Sequence, residues 1–331
     1  MAAALLVHAA EAVPGMGDAR IIVLANNLQN YYYNYDESSR PDYHTETGLI
    51  QKTRKIVDMM IEANADIFAF CELEAKPVTL EYLVDALNEK IGAEEYAFVA
   101  DGINVVTDEY DNAIKSGFVY RLATVEPYGS DYPATNVAYY RNVMRIQAWT
   151  EKATGERFTL SMNHFKAMSD DASKAKRIDN ARWLLAGLSS YKVQDPDILV
   201  VGDFNAQMDE TAISMIVEAG FAEQLLRFDP DSYSYIYYGE QELIDHAFAN
   251  ASMAEQIVSA AVWHTNTSAP SSYVRYSDHD AVMVGLCLGP QSSEDLDDIN
   301  AAEPCKKTLR QGQLIIIRSG VEYTVTGQRL R

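Results

Sequence analysis

Five short apolar runs in this chain each border the same kinds of residue, namely carboxylates, carboxamides and imidazoles. Ile21 to Ala25 leads into Asn26 and Asn27, Ile67 to Cys71 into Glu72, and Phe158 to Met162 into Asn163 and His164. Ile198 to Val201 leads into Gly202, Asp203, Phe204 and Asn205, while Asp278 and His279 stand just before Ala281 to Leu288. Apolar runs of this length, flanked by turn residues, read as buried strands. Polar ends so far apart in sequence meet only if the strands are sheet neighbours that finish at one edge. Such a rim, with acids, imidazoles and several carboxamides, reads as an enzyme's.

The rest of the pattern decides the architecture. Glu46 to Ala63 places Leu49, Ile50, Thr53, Ile56, Val57 and Met60 on one helical face, and Asp170 to Tyr191 does the same with Ile178, Ala181, Leu185 and Leu188. Further strands are expected at Ile114 to Arg121, Val137 to Trp149, Leu243 to Ala249 and Ile257 to His264. Strands that come in runs between helices, rather than in strict βαβ alternation, predict a four-layer α/β sandwich: two mixed sheets face to face, flanked by helices.

Residues 20–288 would form that catalytic domain. Residues 1–19 read as a leader or signal remnant, apolar but without the basic start of a secretory signal. An acidic linker is expected over 289–305 and a small basic β-hairpin over 306–331, from Leu314 to Ile317 and Val321 to Thr326. The hairpin resembles tails of exported bacterial proteins, which points to a secreted, periplasmic or cell-surface location. No segment approaches the roughly 20 apolar residues of a membrane span. With 3 cysteines, intramolecular pairing cannot be complete, and Cys71 reads as a buried thiol.

A formal net charge of −21 excludes a protein that coats nucleic acid electrostatically, because that binding draws on clustered Lys and Arg. It leaves room for a hydrolase that binds a phosphoester transiently. Taken singly, each polar strand end has a plainer reading: Asp203 and Asn205 as an Asx turn, Glu72 as a solvated strand-end charge, His246 as a structural residue. Glu74, two residues beyond Glu72, is a second candidate for holding a cation.

Together and in this order the residues resemble the endonuclease/exonuclease/phosphatase superfamily over about Arg20 to Leu288. Asn27 is similar to the family's first-strand Asn, and Glu72 to its metal-binding Glu, although Cys71 replaces the usual preceding Gln. Tyr120 and Arg121 are similar to a strand that supports phosphate binding, Asn163 and His164 to the catalytic His strand, and Asp203 and Asn205 to the Gly-Asp-Phe-Asn signature. Asp245 resembles the aspartate that orients the last histidine, within the Ser-Asp-His motif at Asp278 and His279.

The resemblance implies a metal-dependent phosphoester hydrolase, with a nuclease or related phosphodiesterase first, a phosphatase or lipid phosphodiesterase second, and an inactive surface-binding protein third. It implies that Asn27, Glu72 and Asp278 hold Mg²⁺ or Mn²⁺, with Ca²⁺ as a further candidate. Asp203 and Asn205 would orient the attacking water. Asp245 would steady a charged His279, and His164 would reach the phosphoryl group or the leaving group. Tyr120, Arg121, Asn163 and Lys166 would contact substrate, with Lys174, Lys176 and Arg177 nearby. For specificity, Tyr31, Tyr32, Tyr33 and Tyr35, with Arg40, Tyr43 and His44, form an aromatic run that could stack bases. The second cluster, at Tyr233, Tyr235, Tyr237 and Tyr238, alternates like a strand and reads as structural.

Overall fold

A computed structural model describes residues 13–34, 45–101, 114–136, 141–191, 196–269, 275–289, 306–310, 313–318 and 321–324. Residues 1–12 of the expected 1–19 leader, the specificity residues Tyr35, Arg40, Tyr43 and His44, and the linker beyond Gly289 lie outside them. The chain divides into two compact units, Met1–Leu288 and Gly289–Arg331.

The first unit begins β1 (Ile21–Tyr31), α1 (Glu46–Ala63), β2 (Ile67–Glu74), α2 (Pro77–Ile91), β3 (Tyr96–Phe98), β4 (Ile114–Arg121) and β5 (Val125–Asn136). It continues β6 (Arg141–Glu151), β7 (Arg157–His164), α3 (Asp171–Ser190), β8 (Ile198–Asp203), α4 (Thr211–Glu218), β9 (Phe221–Glu223) and α5 (Leu225–Phe228). It closes with β10 (Tyr235–Tyr237), β11 (Glu240–Glu242), β12 (Asp245–Asn250), α6 (Ala251–Gln256), β13 (Ile257–Trp263) and β14 (Ala281–Leu286).

Strands in the order β13-β14-β1-β2-β4-β3 make one mixed sheet and β5-β6-β7-β8-β12-β9 the other. A single backbone pair, Ile114 with Arg141, joins them. Alternate residues of each strand face opposite layers, and the cores follow that rule. Val23, Ala25, Ala69, Met162, Val201 and Ala247 fill the space between the sheets. Leu24, Phe68 and Phe70 turn outward to meet Ile56 and Met60 of α1 and Leu80 and Leu83 of α2. Val200, Phe204 and Phe248 turn outward on the other side, to Leu184 of α3 and Ile213 and Ile216 of α4. The result is the four-layer sandwich that the strand order predicts.

Local signals set the helix limits. Thr45 caps α1 by accepting the Gly48 N–H at 3.0 Å, and Asn64 ends it in the left-handed region. The α2 helix has no counterpart in the sequence reading, although Pro77 at its start and Gly92 at its end mark both limits. Nor does β5, which carries Gly129 and two prolines and survives as an edge strand, where missing donors face away from the ladder.

The second unit contains β15 (Lys306–Arg310), β16 (Gln313–Arg318) and β17 (Val321–Thr324) in an antiparallel sheet. The expected hairpin is β16 with β17. A third strand, Lys-Lys-Thr-Leu-Arg, joins it, too polar to announce itself by alternation.

Candidate active site

The side chains that meet at the rim are those whose strand parity points between the sheets. Ala25 and Asn27 share a face of β1, Met162 and His164 of β7, Val201 and Asp203 of β8, and Ala247 and Asp245 of β12, so each apolar core residue has a polar one two positions away at the mouth. Asn163 has the opposite parity. Its amide donates to Ser161 O at 3.2 Å and to Val201 O at 3.0 Å, so it braces β7 against β8 rather than facing substrate.

Glu72 breaks the alternation. The register of β2 with β4 shifts between Phe70 and Leu73, and Glu72 itself sits at φ 55, a conformation uncommon outside glycine. This bulge turns Glu72 into the cluster and sends Leu73 to the outer core. It also separates Glu72 from Glu74, the second candidate for holding a cation, which is buried beside Lys76 (3.0 Å) and accepts the Asn34 N–H at 3.0 Å.

Asp203 is the hub. Its Oδ2 accepts from Asn27 Nδ2 at 2.9 Å and Asn205 Nδ2 at 3.1 Å, and its Oδ1 accepts the Asn205 N–H at 2.8 Å. The imidazole Nε2 atoms of His164 and His279 both lie 3.7 Å from the same Oδ2. His164 is also 3.5 Å from Glu72 Oε1. Asn27 bridges the two acids, since its Nδ2 also donates to Glu72 at 3.1 Å. Its side-chain Oδ1 accepts the Gln29 N–H at 2.8 Å, which fixes the amide so that it offers NH₂ to the cluster. Asn27 is therefore an acid-bridging donor in this arrangement.

Gly202 makes room for this. At φ 130 a side chain is strained, and a Cβ would stand 2.2 Å from Asn163 O. Only glycine lets β8 lie that close to β7 one residue before Asp203.

Asp245 orients His279 through a 2.7 Å contact from Nδ1. Ser234, which the sequence reading missed, donates its hydroxyl to the same Asp245 oxygen at 2.8 Å and accepts the Asp245 N–H at 3.0 Å. Ser277 ties the loop to β1 by donating to Asn27 O at 2.5 Å while accepting the His279 N–H at 3.1 Å. Asp278 stands at the solvent side with its side chain 39% exposed, 4.0 Å from His279 Nε2.

The electrostatics follow from burial. Desolvation lifts the Asp203 carboxyl to about 7; His279, the nearest opposing influence, pulls it down, and Asp245 pushes it up again. Burial disfavours a charged His279, but Asp245 and Asp203, with the Asp245 hydrogen bond, more than reverse this and hold the imidazole well above its ordinary range. The mouth thus pairs a charged imidazolium with a carboxyl poised near neutrality.

The remaining expected contacts sit elsewhere. Tyr120 and Arg121 lie at the far end of β4, where Tyr120 pairs with Ile67 and Ile114 with Glu74. The Tyr120 ring packs on Trp149 at 5.4 Å, and Arg121 is taken by Asn64, Glu95 and Asp66. Because β4 is antiparallel to β2, a residue late in β4 is at the wrong end for the rim. Lys166 lies just beyond His164, its N–H on Asn180 Oδ1 at 2.9 Å. Arg177 does not reach for phosphate. It is buried, doubly paired with Glu210 at 2.8 Å, and donates to Lys166 O and Met168 O. Arg177 and Asn180 of α3 therefore brace the loop after His164, which rotates the buried face of α3 from the expected Ile178, Leu185 and Leu188 towards Arg177, Asn180 and Leu184.

The sequence from residue 43 to 279 matches the model of the endonuclease/exonuclease/phosphatase family. The chain belongs to that family. The match spans every cluster residue except Asn27, and it places the protein's chemistry in phosphoester hydrolysis. No curated protein matches the sequence. Among solved structures, an endonuclease/exonuclease/phosphatase family protein from Bacteroides thetaiotaomicron is similar with a TM-score of 0.60 at 19% identity, covering 80% of this chain and 97% of that one. A mannosyl-6-phosphatase from the same species gives 0.54 at 19% identity, over 81% of this chain and 100% of that one. TDP2 from D. rerio, complexed with a single-strand DNA product, gives 0.56 at 15% identity, over 81% and 99%. At these identities the likeness is one of fold.

Proposed function

We propose that the protein is a divalent-metal-dependent phosphodiesterase in which Asp203 takes the proton from an attacking water and charged His279 steadies the phosphoryl oxygens. The observation that carries this reading is Asp203 itself: a buried carboxyl, raised above the usual carboxylate range by desolvation, held by two carboxamides and set between two imidazoles. A general base works best when its pKa lies near the working pH, and such assistance is typically worth 10² to 10⁴ in rate.

The donor set fits a hard cation. Glu72 and Asp278 are oxygen donors with side chains 18% and 39% exposed, which suits Mg²⁺ or Mn²⁺, ions that take one or two carboxylates and keep several waters. Asp203, Asp245 and His279 also have ligand-like spacing, within 4.8 Å, but His279 Nδ1 is already committed to Asp245 and the imidazolium supplies the positive charge there. Glu72 and Asp278 would hold the ion, which would polarise a phosphoryl oxygen.

Charge supply favours a diester over a monoester. A monoester dianion calls for cations, yet the buried cations of the described residues are engaged: Lys115 and Arg145 on Asp101, Arg145 also on Asp131, Arg177 on Glu210, and Lys52 on Gln29 O. A diester carries one negative charge, which one imidazolium and one hydrated dication can match. After chelation, the protein is expected to regain hydrolysis of bis-p-nitrophenyl phosphate with Mg²⁺ or Mn²⁺, assayed beside Ca²⁺ and beside p-nitrophenyl phosphate, DNA, RNA and sphingomyelin. Activity confined to the monoester, or indifferent to chelation, would overturn the reading.

A further inference from the structure

The rim continues outward from His279 as a run of tyrosine rings. Tyr235 packs against the His279 imidazole at 4.8 Å between centroids, Tyr237 lies nearly parallel to Tyr235 (20°, 6.5 Å), and Tyr238 meets Tyr237 edge-on at 4.5 Å. Exposure rises along the run, to 52% for Tyr237 and 92% for Tyr238. Burial, and the nearby Asp278 and Asp203, raise the Tyr235 hydroxyl to about 12, so the ring beside the imidazolium stays neutral.

The hairpin β10–β11 is built to present these rings. Its two-residue turn, Tyr238-Gly239, has φ of 48 and 90, the all-positive pattern of a type I′ turn, in which Asn-Gly is the common choice. A tyrosine there adopts a backbone conformation that bulky residues avoid, and its ring gains no buried packing in return. Residues held in such conformations cluster at active sites and ligand clamps.

We propose that Tyr235, Tyr237 and Tyr238 form a stacking subsite for the nucleobase of a short nucleotide ester whose single phosphodiester lies at Asp203 and His279. This rests on the phosphodiesterase reading and adds the substrate class to it. The flat ring faces suit an uncharged planar group. Glu240 and Glu242 on the return strand, with the net charge of −21, repel additional phosphates, so the occupant is a base next to one phosphate rather than a long polyanion. Stacking of this kind tolerates any base, since every base has a π-face.

The test uses the full chain, with its activating metal, on three substrates. These are thymidylyl-thymidine, the same dinucleotide with both bases replaced by tetrahydrofuran spacers, and bis-p-nitrophenyl phosphate. The wild type is expected to prefer the base-bearing dinucleotide, and Tyr238→Ala with Tyr237→Ala to shrink that kcat/KM preference by about tenfold. Tyr238→Asn keeps a turn residue suited to the backbone, so the same loss in it separates the ring from folding. Tyr132→Ala, an exposed tyrosine on β5, is expected to leave the preference intact. Equal loss on both dinucleotides, or no preference in the wild type, would overturn the subsite. Hydrolysis of bis-p-nitrophenyl phosphate without cleavage of the dinucleotide would overturn it while the phosphodiesterase reading stands. Failure on every diester would remove both.

Discussion

Two His–Asp pairs meet at the neighbouring residues His279 and Asp280, and they are equally short. His279 Nδ1 and His264 Nδ1 each lie 2.7 Å from a carboxylate, Asp245 and Asp280 respectively. Their surroundings differ. Asp280 is saturated by the N–H groups of Asn266 and Thr267 and by the Thr267 hydroxyl, and Tyr233 stacks on His264 at 4.1 Å. Those bonds hold the 264–267 loop beneath the 277–280 loop. Asp245 faces inward, takes one hydroxyl from Ser234, and leaves His279 with its Nε2 towards Asp203 and the mouth. The length of a His–Asp contact therefore does not by itself mark chemistry.

That contrast can be broken at several points. The largest expected effect is on turnover: His279→Gln or Asp203→Asn should lower phosphodiester hydrolysis by about 10² to 10⁴ with the circular dichroism spectrum unchanged, whereas His264→Gln should stay within about threefold. Comparable loss in His264→Gln would erase the distinction. Next comes stability. Asp280→Ala strands several buried donors and should lower unfolding free energy by about 3 kcal/mol in urea melts, while Asp245→Asn should damage rate more than stability. An Asp280 variant as stable as wild type would show that the pair does not anchor the loop.

A pH dependence follows from the same pocket. Asp203 binds its proton more tightly folded (about 7) than unfolded (3.8), so its contribution favours the native state at acid pH and is lost as pH rises through about 7. The raised His279 acts in the same direction, fully present below 6.5 and lost above its folded value. In metal-free protein, stability measured from pH 5 to 8 should therefore fall more steeply than in Asp203→Asn, by on the order of 2 kcal/mol. Parallel slopes would show that Asp203 is not buried as an acid. The smallest effect is that of Ser234→Ala, about 1 kcal/mol in kcat. As a positioning residue it should also shift the alkaline limb of the pH–rate profile, which a merely structural loss would not move.

The aromatic clusters show where sequence reading reached its limit. Tyr31 to Tyr33 had the look of a base-stacking run, yet Tyr31 and Tyr32 are 0% and 2% exposed, with the Tyr31 hydroxyl on Thr53. Tyr233 to Tyr238 alternates like a strand and reads as structural, yet its tip carries the most exposed large ring among the described residues. Alternation alone does not say which face a sheet covers, because that depends on what packs against it. Glu72 teaches the same lesson, since a bulge reversed its parity. Tyr120 and Arg121 add another: a motif's strand was right, but strand direction put its last residues at the wrong end.

What the chain determined by itself was the set of buried runs, their mixed order and the polar residues at their ends, because hydrophobic periodicity and turn chemistry are local and survive in one dimension. The tertiary structure alone decided which polar ends converge, which nitrogen of which histidine faces Asp203, and which tyrosines stay in solvent. Those outcomes depend on register, bulges and the closeness of β7 to β8 at Gly202, and a few ångströms of strand offset would have built a different site from the same residues.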